Sequence, residues 1–254
     1  EAFRLAADPS RFPEHMKEGL RPWQARKLYY QGGFGGRPDA APAAGPPPVR
    51  MNSDVYDPLL GQTYAEIGSE ARSNHKCQGM AQLLFLPGAQ GGSTYRLGDT
   101  TLPGGSSRAD PSLFDGIDLT IPGLAQFAKV PAPDSLRAGL AAIANEVDRA
   151  QKAFASSGVA AAREPIVAGL NAVRALRAQL ASIGLDEAAR YEIDYRLKTK
   201  EDQFQQAALL AQGVRIDVLA DDGVVFGGQA IRVQTIVANR GAADLTVTRI
   251  SLSG

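Results

Sequence analysis

Between Asp134 and Gln212 apolar residues return every three or four positions in three successive stripes. The first holds Leu136, Leu140, Ile143, Val147 and Phe154; the second Ile166, Leu170, Val173, Leu180 and Ile183; the third Ile193, Leu197, Phe204 and Ala208. That spacing puts one greasy face on each segment and predicts three amphipathic helices packed on one another, with Gly or Pro between them. Asp134 and Asp186 are expected N-caps, because a carboxylate there can accept an orphaned backbone N–H, and Gly184 suits the stop of the second helix. The heptads are short and imperfect, which favours packing within the chain over a dimerising coiled coil.

After Gly213 the period drops to two. Val214, Ile216 and Val218 share one face of a strand, Ile231, Val233, Thr235 and Val237 form a second, and Asn239-Arg240-Gly241 turns the chain into a third from Leu245 to Leu252. An immunoglobulin-like β-sandwich opens this way, although these strands are too few to close one.

Ahead of the helices, residues 1–130 hold most of the Gly and Pro and alternate short helical and extended stretches. Arg26 to Tyr30 is a β-prone run expected to be a core strand, and Gly32 to Pro48 is a low-complexity surface loop. Leu60, Tyr64, Ile67 and Ala71, continued by Met80 and Leu83, predict one helix from about Gly61 to Leu83. Glu1 to Ala7 is already in helical rhythm without an initiator Met or a cap, so the chain reads as an internal piece of a longer protein. The expected organisation is therefore mixed: an α/β segment over 1–130, a connector of three helices over 131–212 and the first strands of a sandwich over 213–254.

With 254 residues, 44% of them hydrophobic, the chain is able to bury a core. Twenty-seven basic residues balance twenty-seven acidic ones, which removes the whole-molecule field that would draw in nucleic acid or an anionic membrane. No run approaches the roughly 18 apolar residues of a membrane span. The single cysteine, Cys77, excludes an internal disulfide framework and is expected to be a small buried or half-buried filler.

Candidate chemistry is sparse. The two histidines, His15 and His75, have no second His at the spacing of a helical zinc pair. Ser73 and His75, two apart, point to different sides of a helix. Asp115 and Asp118 flank Gly116 and read as turn residues more readily than as a weak cation site. Gly32 to Gly36 has the composition of a phosphate loop without its Lys-Ser/Thr, and Trp23 reads as core more readily than as a sugar platform.

Three stretches together resemble the PIG-L/LmbE-like family of zinc-dependent N-acetylglucosaminyl deacetylases in its large multidomain bacterial form. They are Ala2–Glu14 with Gly19–Gln24 and Lys27–Tyr29; Tyr56–Gly61 with Tyr64–Ile67 and Arg72–His75; and Ser112–Asp118. The resemblance implies that the first segment is the tail of a Rossmann-like α/β domain. It also implies zinc held by two His and an Asp with an acidic general base, the ligands lying upstream of Glu1, and an N-acetylated sugar or glycoconjugate as substrate. By the same resemblance Arg72, His75 and Gln78 are the positions expected near substrate, while Cys77 stands where the family has Ser. A multidomain parent with a β-sandwich leans toward an exported protein. The alternative is a non-catalytic carbohydrate-binding or surface protein that retains the α/β shell.

Overall fold

The computed structural model describes residues 1–31, 45–78, 92–128 and 131–251. The Gly32–Gly36 run and the Met80–Leu83 end of the expected helix lie outside these. The chain divides into two compact units, Glu1–Ile117 and Asp118–Gly254. Both helices and small antiparallel sheets are present, which gives the mixed class expected.

In the first unit, two short helices, α1 (Ala2–Leu5) and α2 (Pro13–Lys17), precede β1 (Lys27–Gln31). Strands β2 (Val49–Asn52) and β5 (Gly92–Thr100) complete a three-stranded sheet in the order β1-β5-β2, every pairing antiparallel. The register sets Tyr29 opposite Leu97 and Val49 opposite Tyr95 on one face, and Tyr30 opposite Arg96 and Arg50 opposite Thr94 on the other. Gly98 is the extra residue of a bulge, since Leu28 faces Asp99 while Tyr29 faces Leu97. The parallel ladders of a Rossmann-like sheet are not among the described strands.

A small hairpin of β3 (Tyr56–Asp57) and β4 (Gln62–Thr63) leads into α3 (Tyr64–Ser73). This helix is shorter at both ends than the expected Gly61–Leu83. A capping box starts it: the Glu66 backbone N–H donates to Thr63 Oγ1 at 3.2 Å, and the Thr63 N–H donates to the Glu66 carboxylate at 2.6 Å. Asn74 ends it by donating its side-chain amide to the Glu70 carbonyl at 3.2 Å, and a separate 3-10 turn, Lys76–Gln78, follows. Cys77, expected to be buried or half-buried, is exposed on that turn. Trp23 is likewise exposed rather than core, because it sits in an extended segment without regular structure ahead of β1.

In the second unit, a 3-10 segment (Pro122–Phe127) precedes α4 (Asp134–Ser157), α5 (Val159–Gln179) and α6 (Glu187–Gln212). The three stripes become the core: Leu136, Leu140, Ile143, Val173, Ile193 and Leu197 are almost fully buried. Consecutive helices run antiparallel, as the Arg149–Glu164 pair between α4 and α5 and the Arg174–Glu201 pair between α5 and α6 require. Asp186 caps α6 as expected, accepting from the Ala189 N–H at 2.8 Å. Asp134 does not cap α4. The capping position falls on Pro133, and the Asp134 carboxylate instead pairs with Arg137 one turn on. Helix α5 ends at Gln179, ahead of Gly184, so Leu180 and Ile183 fill the core from the connecting turn. The break before α5 is Gly158, whose φ of 77° suits only glycine, while Pro165 is inside the helix.

Helix α6 stops at Gly213 in the left-handed conformation, and the chain enters β6 (Val214–Ala220) directly, pairing antiparallel with β7 (Val233–Asn239). The expected third strand does not form: residues 244–251 have no ladder partner. The Asn239 side chain accepts from the Gly241 N–H at 3.0 Å and donates to the Ala243 carbonyl at 2.7 Å, a local turn that competes with the return of the chain along β7.

Gly169 lets Phe204 of α6 pack close against α5, for a Cβ there would lie 2.4 Å from the Phe204 ring. Gly169→Ala should therefore destabilise the unit by roughly 1–3 kcal/mol in spite of alanine's better helix propensity. Gly184→Ala, with nothing within 4 Å, should be near neutral; denaturant midpoints of the two variants check the contrast.

Candidate functional site

Among its described residues the first unit has few buried apolar side chains and one buried charge cluster. Asp110 lies in the segment after β5, with only 2% of its side chain exposed, and the partnering Lys27 on β1 is equally enclosed at 3%. One carboxylate oxygen accepts from the Lys27 ammonium at 2.9 Å and from the Tyr29 hydroxyl at 2.6 Å; the other accepts from Arg108 Nε at 2.6 Å. Arg108 also donates to Asp115 at 2.5 Å. Two cations thus meet two carboxylates, and no buried side-chain polar atom among the described residues is without a partner.

Burial pushes the Asp110 carboxyl up, but the donors from Tyr29, Lys27 and Arg108 overcome it and hold the group down at about 2. The Tyr29 hydroxyl is raised well above its ordinary value by burial and by the carboxylate it donates to. At neutral pH both groups keep their protonation state, so the cluster has the character of a frame rather than of an acid–base couple. Beside it lies a cavity of about 70 Å³ lined in part by Tyr29, Val49, Tyr95, Leu97, Arg108 and Asp110.

The second unit carries a wider, open groove of about 520 Å³ along α5 and α6, lined in part by Arg177, Glu187, Arg190, Tyr191 and Asp194. One of its two arginines is committed: Arg177 pairs with Asp194 at 2.8 Å and with Glu201 at 2.6 Å. Tyr191 stacks on Tyr195 with ring centroids 6.2 Å apart.

The residues singled out from sequence fall elsewhere. Arg72 is exposed in the last turn of α3, and His75 is exposed just beyond it, its backbone N–H bonded to the Arg72 carbonyl at 3.0 Å. Gln78 closes the 3-10 turn. Neither Arg72 nor His75 lines the cavity or the groove. Asp118 accepts from the Thr120 N–H and hydroxyl, the local bond of a turn, whereas the Asp115 carboxylate is engaged by Arg108 in an ion pair that the turn reading does not include. Sequence reasoning passed over Lys27, Arg108 and Asp110. The only local signal was three charges of both signs close to β-prone or Gly-rich runs, without a spacing that links them.

Among the described residues no group of three or more His, Cys, Asp or Glu is placed to hold a metal ion. Asp110 and Asp115, the nearest to a donor set, already have cationic partners, so the described residues do not fit the zinc that the family resemblance implies. No described helix is long and apolar enough to cross a membrane. Comparison with known proteins finds no matching family model, curated protein or solved structure.

Removing Asp110 leaves Lys27 charged, buried and unpaired, so Asp110→Ala should cost about 3–5 kcal/mol of the first unit's stability. The carboxyl's folded value of about 2 lies below its ordinary 3.8. Its contribution is therefore complete above about pH 4 and is lost as pH falls toward 2, a change of about 2 kcal/mol. Denaturant titrations between pH 2 and 5 should show that slope in the unchanged chain and a shallower one in Asp110→Asn.

Proposed function

We propose that this chain is part of a zinc-dependent hydrolase that deacetylates N-acetylglucosamine-type sugars, with the metal ligands upstream of Glu1. In this reading the first unit is the C-terminal part of the Rossmann-like catalytic domain. The three helices are a connector, and β6 with β7 begins an immunoglobulin-like accessory domain.

One observation supports the reading most. The first and third family-like stretches, separated by more than eighty residues, are linked through two residues that belong to neither, Arg108 and Asp110. Tyr29 donates to Asp110 at 2.6 Å and approaches the Leu113 carbonyl at 3.5 Å, and Arg108 joins Asp110 to Asp115. Within the first stretch, Gln24 donates to the Phe3 carbonyl at 2.9 Å. Residues shared with a family for structural reasons are expected to hold one another in this way. The chain's own contribution is then to brace the catalytic domain and to offer Arg72, His75 and Gln78 toward substrate. The exposure of Arg72 and His75 is compatible with that role.

Zinc content and acetate release from an N-acetylglucosamine derivative should be measured for this chain beside the same protein extended toward its N-terminus. Only the extended form is expected to bind zinc and turn over. In that form Arg72→Ala and His75→Ala should each lower kcat/KM by about tenfold or more. An extended protein that neither binds zinc nor releases acetate would refute the hydrolase, and unchanged kinetics in both variants would reduce α3 to scaffold.

A further inference from the structure

One face of the β1-β5-β2 sheet carries the Asp110 cluster, and on the opposite, open face Tyr30 and Arg50 are exposed among the described residues. On the open face Gly98 lacks a side chain, and the Tyr30 ring fills the place where one would be: a Cβ on Gly98 would lie 2.1 Å from Tyr30 Cε2. The ring is thereby seated against the strand with 62% of the residue exposed. Arg96 stands directly opposite Tyr30, and in the next strand Arg50 stands opposite Thr94. Neither arginine forms an ion pair with another described residue. The one acidic residue of these three strands, Asp99, is held by Arg4 at 2.6 Å. Among the described residues, a seated aromatic ring and its hydroxyl therefore share this face with an exposed arginine, Arg50, and a half-buried one, Arg96, neither of them in an ion pair.

We propose that this face binds a sugar residue bearing an oxyanion, a carboxylate or a sulfate. The aromatic ring offers a flat apolar surface to the C–H side of a pyranose, and a guanidinium fork matches a planar or tetrahedral oxyanion with two parallel hydrogen bonds. A neutral sugar would leave both guanidinium groups without an acceptor. A polynucleotide needs a longer basic track, whereas this chain has no net charge and the face has one exposed ring and two arginines. The covered face cannot offer the same site, since Lys27 and Arg108 there are already paired.

The test is calorimetric titration of the chain with trigalacturonate, a sulfated chondroitin tetrasaccharide, chitotriose and a ten-base single-stranded DNA. At least one acidic saccharide should bind saturably, with affinity that falls as salt is raised. The better of the two identifies the anion. Arg50→Gln and Arg96→Gln should each weaken that binding by about tenfold. Tyr30→Ala should abolish it and Tyr30→Phe retain it. Gly98→Val, which unseats the ring without touching a ligand group, should weaken it as well. Far-UV circular dichroism of each variant matching the unchanged chain ties the loss to the surface. The proposal is overturned if neither acidic saccharide binds, if chitotriose or the DNA binds as tightly as the better one, or if both Gln variants keep full affinity. The titration requires no turnover and no metal, so its outcome is separate from that of the deacetylase proposal.

Discussion

A single carboxylate ties β1 to the segment that follows β5. Asp110 is taken out of water, and such a group is tolerated only when its acceptor capacity is filled. It fills that capacity with donors from two parts of the chain: Lys27 and Tyr29 on an outer strand of the sheet, and Arg108 in the segment that follows the central strand. Sheet and following segment are thus tied through charge. Replacing any one partner leaves another stranded, which makes the arrangement specific as well as strong.

The second unit solves the same problem by the opposite means. Its helices bury aliphatic side chains against one another, and its ion pairs, such as Arg149 with Glu164, lie at the surface where they align helices more than they stabilise them. Glycines set how near the helices come: Leu176 fits against Gly139 and Phe204 against Gly169, each in space that a methyl group would take. The large side chain and the missing one are complementary across each helix pair, the close packing expected of an ordered core.

The helical part of this architecture was legible in the sequence because its cause is local. A 3.6-residue stripe of Leu, Ile and Val marks a buried face whatever that face touches, and Asp186 announces the start of α6 from its own chemistry. The first unit was much less so. Strand β5 lies in a run of Gly, Ser, Thr and Arg whose alternation is too weak to announce a central strand, and β2 follows a Pro-rich loop that hides it. The start of α3 was written in Thr63 and Glu66, three apart, yet apolar periodicity carried the reading past it to Gly61. Alternation from Leu245 onward indicates which side chains would share a face but not which edge would receive them. Of the candidate site, Asp115 drew attention as a turn residue, while Lys27 and Asp110, eighty-three positions apart, meet only once the sheet exists. The exposure of Arg72 and His75 reflects the early stop of α3 at Asn74, which no periodicity shows.

Gly213 has a mechanical consequence. Helix α6 passes into β6 through this one residue, and the joint is cramped: a Cβ on Gly213 would lie 2.9 Å from the Gly241 backbone nitrogen, and the Arg240 N–H bonds back to the Gly213 carbonyl at 2.9 Å. Such a joint transmits rotation instead of absorbing it. Helix α6 is packed up to its last turn, where Ala211 is buried and its carbonyl accepts from Arg163 Nε at 2.7 Å, so the direction of that turn sets where the hairpin lies.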